Sequence, residues 1–144
     1  MMRFGITGSN GYIGKNLINW LQTNNYKYKT LTKSNINFEN DNNFYFNNYE
    51  NLPINFFKNL DVVIHLAGIA HNRKSKSDLY KIVNVKYTKH LAEESTKHKI
   101  KKFIFISSIK AIDQEYLYGK SKFQAEIELK KIFQNLKKNK TYNC

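Results

Sequence analysis

With 144 residues, the chain is long enough to bury one hydrophobic core and too short for two full domains. Its 24 lysines and arginines outnumber 11 aspartates and glutamates, a net charge of +13, yet only Arg3 and Arg73 are arginines and the lysines are scattered among asparagines, isoleucines and aromatics; base-reading surfaces recruit arginine forks, so nucleic-acid binding is the lesser expectation. Cys144 is the only cysteine, which excludes an intrachain disulfide and a cysteine zinc site, and no apolar run is long enough for a membrane span or a leader, so a soluble cytoplasmic protein is expected.

A first strand is expected at Arg3–Thr7, followed by the turn Thr7-Gly8-Ser9-Asn10-Gly11-Tyr12-Ile13-Gly14 and a helix over Gly11–Thr23. Glycines at this spacing have a use at a phosphate site. One takes backbone angles closed to other residues, one lets the main chain approach a pyrophosphate, and one lets helix and strand pack closely. The helix dipole and its free N–H groups then favour an anion. A tight strand-to-helix turn without ligand would use the same residues, and that alternative stays open here.

A second strand, Lys27–Thr32, ends in Thr32-Lys33-Ser34, where a carboxylate that grips the ribose of NAD is commonly found. None is present. Lys33 is placed to meet the 2′-phosphate of NADP, or it is a solvated loop lysine. The Asn-rich stretch Ser34–Asn51 is poorly patterned apart from a third strand at Asn43–Phe46, and a short helix follows around Pro53–Asn59.

The run Asp61–Ala67 predicts a buried parallel strand finishing in the small residues Ala67 and Gly68. Beyond it come a helix over Leu79–His98 carrying Asn84-Val85, a strand over Lys102–Ser107 presenting Ser107 and Ser108 at its end, and a helix over Tyr118–Lys138. Tyr118 and Lys122 are four apart, on one face of that last helix. The basic tail Lys137–Cys144 is expected to fray. His65, His71, His90 and His98 lack a spacing that would gather them on a metal, so no metal site is assigned. Strands alternating with helices predict an α/β, doubly wound parallel sheet of five strands, with its crevice at the carboxyl ends of the first and fourth.

The ordered set Thr-Gly-x-x-Gly-x-x-Gly, strand-His-Leu-Ala-Gly, Asn-Val, strand-Ser-Ser and Tyr-Gly-x-Ser-Lys resembles the extended short-chain dehydrogenase/reductases, most of all the NAD-dependent epimerases, dehydratases and reductases of nucleotide sugars. The resemblance covers nearly the whole chain. It implies a Rossmann-like NAD(P)-binding domain over 1–144, with 138–144 as its frayed end. Ser108, Tyr118 and Lys122 would be catalytic. The dinucleotide, NAD or NADP, would meet Gly8, Asn10, Gly11, Tyr12, Ile13, Gly14, Lys33, Leu66, Ala67, Gly68, Asn84 and Ser107 as well as Tyr118 and Lys122.

By the same resemblance Tyr118 exchanges a proton with a sugar hydroxyl while hydride passes to or from the nicotinamide. A free phenol titrates near 10, so a phenolate base at neutrality needs roughly 4 kcal/mol of stabilisation, part of which a nearby ammonium supplies. The implied partners are a UDP- or dTDP-sugar and a second copy docked through the helices carrying Asn84 and Tyr118, with no membrane.

Three departures from the family pattern stand beside this. Ser108 and Tyr118 are ten positions apart, where relatives insert a longer loop around the substrate. Glu115-Tyr116-Leu117 replaces the proline usual before the tyrosine. Only a basic tail follows the last helix, so the next strand and the small substrate domain are expected to be missing and an apolar edge exposed. These departures keep a second reading in play, a dinucleotide-binding module without turnover.

Overall fold

A computed structural model of the chain describes residues 1–34, 42–70 and 77–141. His71, Arg73, Cys144 and residues 35–41 of the Asn-rich stretch lie outside the described residues. The chain packs as two compact units, Met1–Gly68 with Glu94–Ile106, and Ile69–Glu93 with Ser107–Cys144.

The first unit holds a parallel sheet of β1 (Arg3–Thr7), β2 (Lys27–Lys33), β3 (Asn43–Phe46), β4 (Val62–His65) and β5 (Lys102–Phe105) in the order β3-β2-β1-β4-β5. This is the doubly wound order expected from the alternation of elements. β1 is central, with Phe4 opposite Tyr28 on one side and Val62 on the other. The order reverses direction between β1 and β4, so the carboxyl ends of those two strands form the switch point where ligands of such sheets bind. α1 (Tyr12–Thr23) buries Gly14 and Leu21 and leaves Tyr12 and Trp20 exposed, the one-sided pattern of a helix laid on a sheet. It stops at Asn24 and Asn25, the latter left-handed at φ 56°, a conformation asparagine tolerates.

Ile6, Val63, Leu21 and Leu31 form the core with Phe56 and Phe57 from the short α2 (Ile54–Phe57). The Phe56 ring meets Phe44 edge-on at 6.0 Å and Phe57 at 5.0 Å, and Phe57 stacks on His98 at 5.1 Å. Burying each such ring contributes about 1.5–3 kcal/mol. At the opposite end of the sheet from the switch point, Asp61 ties three strands together. Its carboxylate accepts from the Arg3 N–H at 3.0 Å and from Lys101 Nζ at 2.7 Å, and its carbonyl accepts from the N–H groups of Lys101 and Lys102.

In the second unit the expected single helix over Leu79–His98 is three consecutive pieces: α3 (Ser77–Tyr80), a π-helical segment (Lys81–Lys86) and α4 (Tyr87–Lys97), whose last turn belongs to the first unit. The wide turn contains Asn84, whose carbonyl accepts from the Thr88 hydroxyl at 2.8 Å. β5 ends at Phe105, two residues before the expected end, and the chain then forms the unforeseen short helix α5 (Lys110–Asp113). Gln114, left-handed at φ 53°, turns the chain out of α5 toward α6 (Leu117–Thr141). Tyr80, Val83, Tyr87, Leu91, Ala92, Ala111, Ala125 and Leu129 are the buried apolar residues of these helices among the described residues.

Candidate functional site

The turn after β1 is built by close packing of backbones. Gly8 is left-handed at φ 72°, and a Cβ placed there would lie 2.6 Å from the Ala67 nitrogen and 2.7 Å from the Leu66 carbonyl carbon. At Gly14 a Cβ would lie 2.2 Å from the Gly8 oxygen. Packing inside the protein therefore accounts for both glycines. Gly11 differs. Its φ of −75° suits any residue, and its Cβ would meet nothing nearer than the Gly8 oxygen at 3.4 Å. No side chain caps α1, and its first turn carries no acidic residue. Beside Gly11 the exposed Tyr12 and Ile13 thus begin a helix whose leading N–H groups have no side-chain acceptor, a favourable setting for an anion.

The neighbouring turn after β4 is held by the buried Thr7. Its Oγ1 lies 2.6 Å from His65 Nδ1 and accepts from the Ala67 N–H at 3.3 Å. The Leu66 N–H donates to the Thr7 carbonyl at 3.2 Å. His65, itself fully buried, stacks on Phe105 at 5.8 Å. This is why β4 stops at His65, short of the expected Ala67: the Ala67 N–H goes to a side-chain hydroxyl instead of a strand partner. Leu66 and Ala67 are half-buried and Gly68 is exposed.

On the other side of the glycine turn, Ser9 Oγ lies 3.0 Å from Thr32 Oγ1, joining the turn to the end of β2. A cleft of about 150 Å³ opens there, lined by Ser9, Asn10, Thr30, Thr32, Asn43 and Tyr45 among others. Its lining among the described residues contains no carboxylate. Lys33 is exposed, with its ammonium 4.6 Å from the centre of the Tyr49 ring.

In the second unit the Asn84 side chain is buried and committed. Its Oδ1 accepts from the Ile69 N–H at 2.9 Å, while its Nδ2 donates to the Ile69 carbonyl at 3.0 Å and to Ser121 Oγ at 2.9 Å. Ser121 in turn donates to the Tyr118 carbonyl at 2.7 Å, so Asn84 positions the first turn of α6. The Tyr118 ring is half-buried and its hydroxyl makes no hydrogen bond among the described residues. Lys122, one turn on, is buried, and loss of hydration pushes its ammonium down from the ordinary 10.5 to about 8, against the opposing pull of the Glu126 carboxylate. Ser108 Oγ accepts from the Lys110 N–H at 3.3 Å at the start of α5, and Ser107 Oγ donates to Glu126 Oε1.

The sequence matches the model of the NAD dependent epimerase/dehydratase family over residues 5–144. The chain belongs to that family. It is 34% identical over 122 residues to a UDP-glucose 4-epimerase of Vibrio cholerae, a match covering 79% of this chain and 37% of the relative. Among solved structures, the UDP-glucuronic acid 4-epimerase of Bacillus cereus in complex with NAD aligns with a TM-score of 0.74 and 22% identity over 93% of this chain and 53% of that one. The UDP-glucose 4-epimerase of Thermotoga maritima with UDP-glucose aligns with a TM-score of 0.67 and 23% identity over 92% of this chain and 52% of that one. The chain thus spans between a third and two thirds of the length of these relatives.

Within this epimerase/dehydratase fold the sequence-derived residues fall into two sets. Gly8, Asn10, Gly11, Tyr12, Ile13, Gly14, Leu66, Ala67 and Gly68 belong to the two turns at the switch point of the first unit, and Lys33 ends the neighbouring strand. Asn84, Ser107, Ser108, Tyr118 and Lys122 belong to the second unit. Sequence reasoning missed Glu126, which follows Lys122 by one helical turn on α6.

Proposed function

We propose that this chain binds NAD or NADP at the glycine turn and takes part in hydride-transfer chemistry on a nucleotide sugar, in the manner of a UDP-glucose 4-epimerase. The observation that carries the reading is Gly11: the fold has room for a side chain there, and leaving it out keeps the backbone open to a pyrophosphate. With Gly8 and Gly14 already required by packing, an anion at the head of α1 gives the third glycine its reason.

When bound, the nicotinamide supplies the acceptor and donor of hydride. Tyr118 takes the proton from the reacting sugar hydroxyl as its C–H bond gives up hydride, and returns it in the reverse step. Lys122, as an ammonium, stabilises the phenolate so formed, and the Ser108 hydroxyl donates a hydrogen bond to the reacting oxygen. Asn84 contributes indirectly, by fixing the turn of α6 that carries Tyr118. A UDP- or dTDP-sugar is the proposed substrate, and pairing of two copies through the helices carrying Asn84 and Tyr118 belongs to the same proposal.

A second reading, dinucleotide binding without turnover, is favoured by the ten-residue step from Ser108 to Tyr118, which α5 occupies where relatives place a longer loop. Titration of the folded chain with NADH and NADPH, followed by nucleotide fluorescence, tests both readings beside Gly11→Val. Saturable binding that the variant loses is the expected result, and the tighter of the two nucleotides gives the preference. Absence of binding by wild type with an intact circular dichroism spectrum overturns both. Turnover of UDP-glucose by the loaded chain then separates enzyme from module.

A further inference from the structure

Glu126 is the carboxylate that neither the motifs nor the proposed chemistry use. It lies on α6 one turn beyond Lys122 and two turns beyond Tyr118, so all three share one face of the helix. Its Oε1 accepts from Ser107 Oγ, a hydroxyl on the segment that follows β5. A half-buried carboxylate fixed by a hydroxyl from another segment is more than a solvated surface charge. It has a set place beside a lysine whose own surroundings have been stripped of water.

An ammonium inside a protein is disfavoured by lost hydration, and hydrogen-bond acceptors, a nearby negative charge or loss of the proton offset that cost. The charged side chains on the segments packed against α6 are Asp78 on α3, Lys81 and Lys86 on the π-helical segment, and Lys110 and Asp113 on α5, and Lys89 of α4 pairs with Glu128. Among the described residues, the Glu126 carboxylate acts on Lys122 and opposes the loss of its proton.

We infer that Glu126 is a positioning residue for the tyrosine–lysine pair: held by Ser107, it supplies the counter-charge that keeps Lys122 an ammonium ion at neutral pH. The inference rests on the proposed roles of Tyr118 and Lys122 for its catalytic meaning, and on the Ser107–Glu126–Lys122 arrangement for its physical content. It also gives Ser107 a task other than touching the dinucleotide, because its proton is directed to Glu126.

The test reads Lys122 itself. Competitive acetylation across a pH series, with each lysine peptide quantified by mass spectrometry, yields the titration midpoint of Lys122 in the folded chain. Glu126→Gln keeps an acceptor for Ser107 and removes the charge, so the midpoint should fall by about one pH unit. Glu126→Asp should restore part of that fall. Ser107→Ala, which leaves the carboxylate in place without its anchor, should shift the midpoint in the same direction by less. It serves as the second variant if Glu126→Gln loses its fold by circular dichroism. An unchanged midpoint in folded variants overturns the inference. Because this readout needs no nucleotide and no turnover, failure of the proposed function leaves a clear result here, and failure here leaves nucleotide binding untouched.

Discussion

At the scale of single residues, the three glycines of the turn are not equivalent, and substitution should separate them. Alanine at Gly8 meets both a left-handed backbone and a main chain 2.6 Å away, and should cost at least about 2 kcal/mol of stability in urea unfolding. Alanine at Gly11 meets neither obstacle and should change stability by less than about 0.5 kcal/mol while weakening NADH binding at least tenfold. Lys122 provides a second contrast. Unfolded, it titrates near 10.5, and in the fold at about 8. Below 8 both states hold the proton, so the fold bears the full cost of a buried ammonium. Between 8 and 10.5 the folded chain has released its proton and the unfolded chain has not, so this group's contribution to stability rises with pH. The cost is at most about 3 kcal/mol. Lys122→Met should therefore raise the melting temperature at pH 7, and the gain should shrink as the pH passes from 8 toward 10.5.

At the scale of elements, the close approach of α5 to α6 makes its own prediction. A Cβ at Gly119 would lie 2.2 Å from the Lys110 carbonyl oxygen, so Gly119→Ala should displace α5 and increase amide exchange across Lys110–Gln114 while leaving the sheet protected. α5 is also where sequence reasoning stopped short. The strands Arg3–Thr7 and Asn43–Phe46 and the order of elements were legible because the apolar runs are short, bounded by turn residues, and alternate with helical periods. Lys110–Asp113 barely completes one helical period and has no proline to open it as Pro53 opens the equally short α2, so it left no signal to find. The π-helical turn at Asn84 was hidden for a different reason. Its surrounding bonds, to Ile69 and Ser121, join residues 15 and 37 positions away. Tyr118, Lys122 and the glycines stood out through their company in an ordered set of motifs. Glu126 did not, because in a helix that also carries Glu128, Lys130 and Lys131 a single glutamate resembles any solvent-facing charge, and only its bond to Ser107 distinguishes it.

At the scale of the whole molecule, the excess of positive charge bears on how copies meet. A groove of the second unit, about 590 Å³, is lined by Tyr80, Val85 and Leu117 and by Lys81, Lys86, Lys89 and Lys120, with Glu128 as its carboxylate. Glu128 already binds Lys89 at 3.2 Å and Lys131 at 3.0 Å. A two-fold axis through this face would bring lysines against lysines. Self-association by this route should therefore strengthen as salt rises from 0.05 M toward about 0.5 M, where the charges are screened and the apolar lining is not. Sedimentation velocity across that range would show it, and dimers that dissociate with added salt would point to another surface. The turn after β1 has a consequence of its own for anyone recombining such proteins. Thr7 bonds to His65 and Ala67, and Gly8 lies against Leu66 and Ala67, so the two loops at the switch point are machined to each other. They act as a single part: a chimera that imports residues 7–14 from a relative should fold only when residues 65–68 travel from the same parent.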